Sequence, residues 1–205
     1  MTAIKHESKI RLLDAALQVI RAKGFTATRI EDVCAAAGLT KGSFFHHFKS
    51  KDDLALAAAE YWDEVTGEAF ASAPYHAPAD PLRRLLGYLD FRKKLLVGGL
   101  PDYTCLAGTM VQEVYATHLP IRDACERSIS GHAATLMADI EAAMAAYRVG
   151  EDWTAESLAL YIQGVIQGAF ILAKAKGSAA VAGTSLDHLR RYLELLFGQS
   201  GPLPA

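Results

Sequence analysis

Between Ala35 and Phe48 the chain reads AAAGLTKGSFFHHF. Two short helical segments must turn a corner here. Gly38 can adopt a left-handed backbone that residues with a Cβ resist. Ala35 and Ala36 are small enough for two helices to approach closely. Thr40 is a good cap for the next segment, predicted over 41–47. This is a helix-turn-helix pattern, in which the second helix is the reading element and its N-terminal residues enter the major groove. Helical spacing then sorts the aromatic cluster. Phe44 and Phe48 are four apart and share a face, so they should pack against Val33, Leu39 and the first helix. Phe45 and His46 point the other way, as a contact surface. A metal site at His46 and His47 is not expected: neighbours on a helix point about 100° apart, and no Cys or third His lies near them in sequence.

The rest of the chain is also helical in pattern. Its long runs are rich in Ala, Leu and Glu, with few β-branched clusters and no defensible strand. The first helix carries Ile10, Leu13, Ala16, Leu17 and Ile20 on one stripe and stops at Gly24. Thr28-Arg29-Ile30-Glu31 reads as a capping box for a helix ending at Ala37. A long helix follows from about 50 to 73, and Asp52 and Asp53 suit its positive end. Further helices are predicted over 81–97, 106–116, 120–147, 154–176 and 185–197, with loops at 73–81 and 98–103 and a frayed tail at 201–205. The expected fold is all-α with about nine helices: residues 1–50 form a three-helix helix-turn-helix domain, and 51–205 form a larger helical domain.

Charge supports that division. Residues 1–55 hold nine Lys/Arg against six Asp/Glu, a net of +3, and the remainder carries −5. A basic end on an acidic body suits nucleic-acid binding. The apolar fraction of 51% and charged fraction of 21% are those of a globular protein. No window holds the roughly 18 consecutive apolar residues of a membrane span, and the N-terminus lacks a signal pattern. The expected location is the cytoplasm, with no membrane partner. Cys34, Cys105 and Cys125 are odd in number and widely spaced, which argues against both a disulfide framework and a structural metal site.

Residues 8–54 resemble the DNA-binding domain of the TetR family of bacterial transcriptional regulators. The resemblance rests on Ala15-Ala16, Gly24-Phe25 and Thr28, on Ala37-Gly38-Leu39, and on Lys41-Gly42-Ser43 with Phe48, Lys51 and Asp53-Leu54. It implies that Thr40, Lys41, Gly42 and Ser43 face the major groove. It also implies a base-edge or backbone contact for His46 and phosphate contacts for His47 and Lys51. Thr28 and Arg29 would hold a phosphate where the second helix opens. Phe45 stands where the family usually has a tyrosine, so the hydroxyl contact to the DNA backbone is replaced by apolar contact.

A protein of this kind binds a palindrome as a homodimer. The expected dimer face lies on the last two helices: Tyr161, Gly164, Val165, Gly168 and Leu172 on one, Leu189, Tyr192, Leu193 and Leu196 on the other. The middle helices carry aromatic and polar groups suited to a pocket for a small-molecule effector. These are Trp62, Tyr88, Phe91, Arg92, Tyr103, Cys105, Met110, Glu113, Tyr115, His132, Met137, Gln163, Gln167 and Phe170. Cys105 opens a helix, a position that favours the thiolate and would suit a redox or electrophile sensor; a small buried apolar residue is the plainer reading. No cofactor or metal is expected. Two other function classes stay open at this point. One is an all-helical enzyme using His132, Glu113 or Cys105, although no triad, metal spacing or phosphate loop is present. The other is a scaffold that binds protein through 44–48.

Overall fold

The computed structural model describes residues 7–149 and 152–198. The tail at 201–205 lies outside the described residues. Among those described, every regular element is helical: α1 Glu7–Lys23, α2 Ile30–Ala37, α3 Lys41–His47, α4 Lys51–Ala71, a 3₁₀ turn Pro74–His76, α5 Pro81–Lys94, α6 Leu100–Tyr103, α7 Leu106–Val114, α8 Leu119–Ala134, α9 Met137–Tyr147, α10 Ala155–Lys176 and α11 Ala180–Leu196.

The count exceeds nine for local reasons. The run at 120–147 breaks because the Thr135 and Leu136 amides bond back only three residues, to His132 and Ala133. The Thr135 hydroxyl also donates to the His132 carbonyl, which closes α8 before α9 starts. The Gly99–Tyr103 stretch forms a helical turn because the Asp102 carboxylate accepts the Gly99 amide at 2.7 Å. The last helix starts five residues earlier than expected, where Ser178 Oγ accepts the Ala180 amide. The second helix starts later than expected. Its cap is Arg29, whose amide is held by the Asp32 carboxylate at 2.8 Å.

The backbone forms two compact units: Met1–Ala71 with Gly99–Ile129, and Ser72–Gly98 with Ser130–Ala205. This packing division does not coincide with a functional division at residue 50. In the first unit a single core joins Leu12, Ala16 and Ile20 of α1 to Val33 of α2 and Phe44 of α3. The same core takes in Leu54 and Ala58 of α4, then Leu106, Met110, Val114 and Ile121 of α7 and α8. The segment that returns at Gly99 is therefore built into the helix-turn-helix core. In the second unit α5 packs on the 3₁₀ turn, α9 and α11, while α10 packs on α9 and α11.

Candidate nucleic-acid interface

The corner between α2 and α3 forms as its sequence demands. Gly38 has φ +63°, and its amide and that of Leu39 return to the Ala35 and Cys34 carbonyls. Arg11 of α1 donates to the Ala37 and Gly38 carbonyls, which ties the turn to the first helix. Thr40 Oγ1 accepts the Ser43 amide at 3.2 Å and starts α3. Phe44 and Phe48 are fully buried, their ring centroids 5.6 Å apart. Phe45 is 55% exposed and touches the edge of Phe44. The seven-residue helix thus has one face in the core and one in solvent.

Lys41, Gly42, Phe45 and His46 are exposed, and Ser43 and His47 are half-buried. A methyl group added at Gly42 would meet only Thr40 Oγ1, at 3.6 Å, an ordinary contact, and its φ is not positive. Nothing inside the chain therefore requires glycine at that position. His47 Nε2 is hydrogen-bonded to Ser8 Oγ at 2.7 Å, so α1 fixes that ring. Lys51, at the start of α4, donates to the Phe25 and Thr26 carbonyls and lies 4.4 Å from the Phe25 ring centroid. It clamps the loop between α1 and α2.

Two sequence readings need correction here. Thr28 is neither the cap of α2 nor available at the surface. It is buried, its amide bonds to the Phe25 carbonyl, and its hydroxyl donates to Gly24 O at 2.6 Å. The second correction concerns charge. Lys41 is ion-paired with Glu31 of α2, and Lys23 with Asp32. The hydrogen bond from Lys41 holds the Glu31 carboxyl below its usual range and raises the ammonium in return. Part of the basic excess counted along the sequence is therefore offset at this surface. Sequence reasoning missed Glu31 as a surface partner because it was assigned to a capping box. The available signal was an acid on α2 and a base on α3 flanking one tight turn.

The expected effector residues divide between the units. In the first, Met110 is buried in the shared core. Trp62 stacks under the buried Arg21 guanidinium at 4.9 Å. Glu113 accepts the Thr26 amide at 2.7 Å. Cys105 caps α7 by accepting the Gly108 amide, and Tyr103 is buried. Tyr115 is 63% exposed because α7 ends one residue before it, which removes it from any internal cavity.

In the second unit, four of the expected residues form one polar network. Arg92 Nε donates to Tyr88 Oη at 2.9 Å, and Gln163 Nε2 donates to the same oxygen at 3.1 Å. Arg92 Nη2 and Tyr88 Oη both lie within hydrogen-bond distance of His132 Nε2, at 2.8 and 3.1 Å. Arginine only donates, so Nε2 must accept and the imidazole is neutral there. Burial, with the Arg92 charge second, pushes the His132 pKa down to about 3. Phe91 lies 5.8 Å from Tyr75, ring to ring. Phe170 is buried, and Met137 and Gln167 are half-buried.

The expected dimer face also divides. Tyr161, Leu172 and Tyr192 are large exposed apolar residues, joined by Leu160, Ile171 and Leu195. The Tyr161 and Tyr192 rings are 5.0 Å apart. Methyl groups at Gly164 or Gly168 would meet nothing within 4 Å. Val165 and Leu196 are half-buried. Leu189 and Leu193 face inward and are buried in the second unit, so they cannot meet a second copy. Among the described residues, α10 is the one helix long and apolar enough to cross a membrane.

The family model described as bacterial regulatory proteins, tetR family, matches residues 12–58. The tetracyclin repressor-like C-terminal domain matches residues 81–189. The chain is similar to the uncharacterized HTH-type transcriptional regulator YerO of Bacillus subtilis, 40% identical over 96 residues, 42% of this chain and 32% of that protein. It is 29% identical over 114 residues to the transcriptional regulator AcuR of Cereibacter sphaeroides, covering 56% of this chain and 51% of that one. The matched segments thus span only about a third to a half of these relatives. The fold matches a TetR-family regulator from Agrobacterium tumefaciens with a TM-score of 0.80 at 20% identity, over 90% of this chain and 96% of that one. With both family models matched over most of its length, the chain belongs to the TetR family of bacterial transcriptional regulators.

Proposed function

We propose that the chain is a homodimeric repressor that sets α3 in the major groove of a palindromic operator and is released by a small-molecule effector. The observation that carries this reading is the division of α3: Phe44 and Phe48 anchor one face, while Gly42, Phe45 and His46 occupy the other. Without a side chain at Gly42 the backbone can approach the groove closely. Thr40, Lys41 and Ser43 stand at the leading end of the helix. Phe45 meets sugar or a thymine methyl, and His46 a base edge or the backbone. Arg29, His47 and Lys51 flank the helix as phosphate contacts. The Lys51 ammonium has three donors, and two are used on the Phe25 and Thr26 carbonyls.

Pairing α10 and α11 with those of a second copy through Tyr161, Gly164, Gly168, Leu172 and Tyr192 makes a four-helix bundle. Such a dimer places two reading helices about 34 Å apart, or a multiple of it, to match half-site spacing. An effector acts by favouring a state in which that spacing is wrong. The Tyr88–Arg92–His132–Gln163 network, with the Tyr75 ring against Tyr88 and Phe91, has the character of its site: apolar walls with a few converging polar groups. The protein works in the cytoplasm, where its DNA is.

The test is a mobility-shift titration on DNA upstream of the protein's own gene, with and without added salt. Retardation that needs a palindrome and weakens steeply with salt is expected. Binding indifferent to the palindrome, or none, would overturn the reading.

A further inference from the structure

Glu31 is on the exposed first turn of α2 and its carboxylate is ion-paired with Lys41, the first residue of α3. Both side chains are more than half exposed. The capping box of the helix is made by a different carboxylate. Asp32, one residue on, accepts the Arg29 amide and also pairs with Lys23. An acid on a surface that meets a polyanion is unfavourable for binding, unless it discriminates between modes of binding.

We propose that Glu31 is a specificity-determining residue that withholds Lys41 from the phosphate backbone, so that Lys41 contributes only where a base edge is presented to it. The inference rests on α3 being the reading helix. The physical reason lies in what each acceptor does to the pair. A phosphate is an anion, and sharing one ammonium between it and the Glu31 carboxylate sets two like charges together. The guanine O6 and N7 atoms are neutral acceptors. An ammonium has three donors, so it can keep Glu31 and still reach a guanine edge. Glu31 therefore penalises the sequence-independent contact and spares the sequence-reading one, which is discrimination by a built-in repulsive element.

The test measures affinity by fluorescence anisotropy across a salt series for wild type, Glu31→Gln, Lys41→Ala and the double variant. Two probes are used: a random-sequence duplex, and the operator that the wild-type protein selects from a random pool. Glu31→Gln is expected to bind the random duplex several-fold tighter and to steepen its log–log salt slope by about 0.9, the value for one added phosphate contact. Operator affinity should rise less, so the ratio between the two probes shrinks. In the Lys41→Ala background the Glu31→Gln change should have no such effect. An equal gain in both backgrounds would mean that Glu31 merely repels phosphate by its own charge, and would overturn the proposal. So would no gain at all while Lys41→Ala still weakens the operator. If Lys41→Ala leaves both probes and the slope unchanged, the placement of α3 fails as well, which separates the two failures. Melting curves monitor folding, and Glu31→Ala carries the same comparison if Glu31→Gln does not fold.

Discussion

Among the surfaces that hold large apolar side chains out to solvent, two invite comparison. On α3, Phe45 stands among Lys41, His46 and His47, with Glu31 close by. On α10 and α11, Tyr161, Leu172, Tyr192 and Leu195 stand beside Gly164 and Gly168. Both surfaces contain glycines that no contact within the chain explains. Their surroundings differ. Apolar area ringed by titratable and charged groups suits a charged, hydrated partner. Apolar area beside small residues suits a close-packed partner of the same kind. Exposure alone would not separate the two.

The largest effect expected from this contrast is on the α10–α11 surface. Leu172→Glu should give a monomer in sedimentation and lower operator affinity by about 10²–10⁴-fold, because two half-sites are no longer bound in concert. A dimeric Leu172→Glu variant would break the comparison. Next come the two faces of α3. Phe44→Ala should cost about 3–5 kcal/mol of stability, as for any large core aromatic. Phe45→Ala should leave the melting temperature nearly unchanged and weaken the operator about tenfold, or about 1.4 kcal/mol. Equal losses of stability would mean that α3 has no separate outer face.

The interior of the second unit gives an effect graded with pH. Below about pH 6.5 the unfolded chain protonates His132, whereas the folded chain resists until about pH 3. The unfolded state then holds the extra proton, so stability falls as pH drops through that window, by at most about 1.4 kcal/mol per pH unit. His132→Gln should remove this part of the slope in denaturant titrations at several pH values; an unchanged slope would contradict a neutral His132 whose Nε2 accepts from Arg92. The smallest effects belong to the open glycines. Gly42→Ala and Gly164→Ala should each leave the fold as stable or gain up to about 1 kcal/mol in helix propensity. The first should weaken only operator binding, and the second only dimer formation. These two readouts are the finest test of whether the surfaces have different partners.

Local chemistry was legible in the sequence, and this explains what was foreseen. The bounds of α3, the turn at Gly38 and the opposite fates of Phe44 and Phe45 all follow from spacing and backbone preference. Partner choice was not legible. Helical spacing places Leu189, Leu193 and Tyr192 near one another but cannot say which apolar neighbour each will meet. Two went into the core and one stayed exposed. Met110 and Tyr115 were indistinguishable as pocket residues, since only the end of α7 at Val114 turns one inward and the other out. Thr28 looked like a cap because the rule counts residue types; the competing bond to Gly24 O arises only once the loop has folded.

The shared core of the first unit limits how such regulators can be recombined. A reading head cut after α4 would lose Leu106, Met110, Val114 and Ile121 from beneath Leu12, Ala16 and Phe44. It would keep its helix-turn-helix sequence and expose the underside that sequence was packed on. Grafting this helix-turn-helix onto another helical body thus means transplanting residues 99–129 together with 1–71. The portable cassette of this protein is discontinuous in the gene, with a segment of the other unit encoded between its halves.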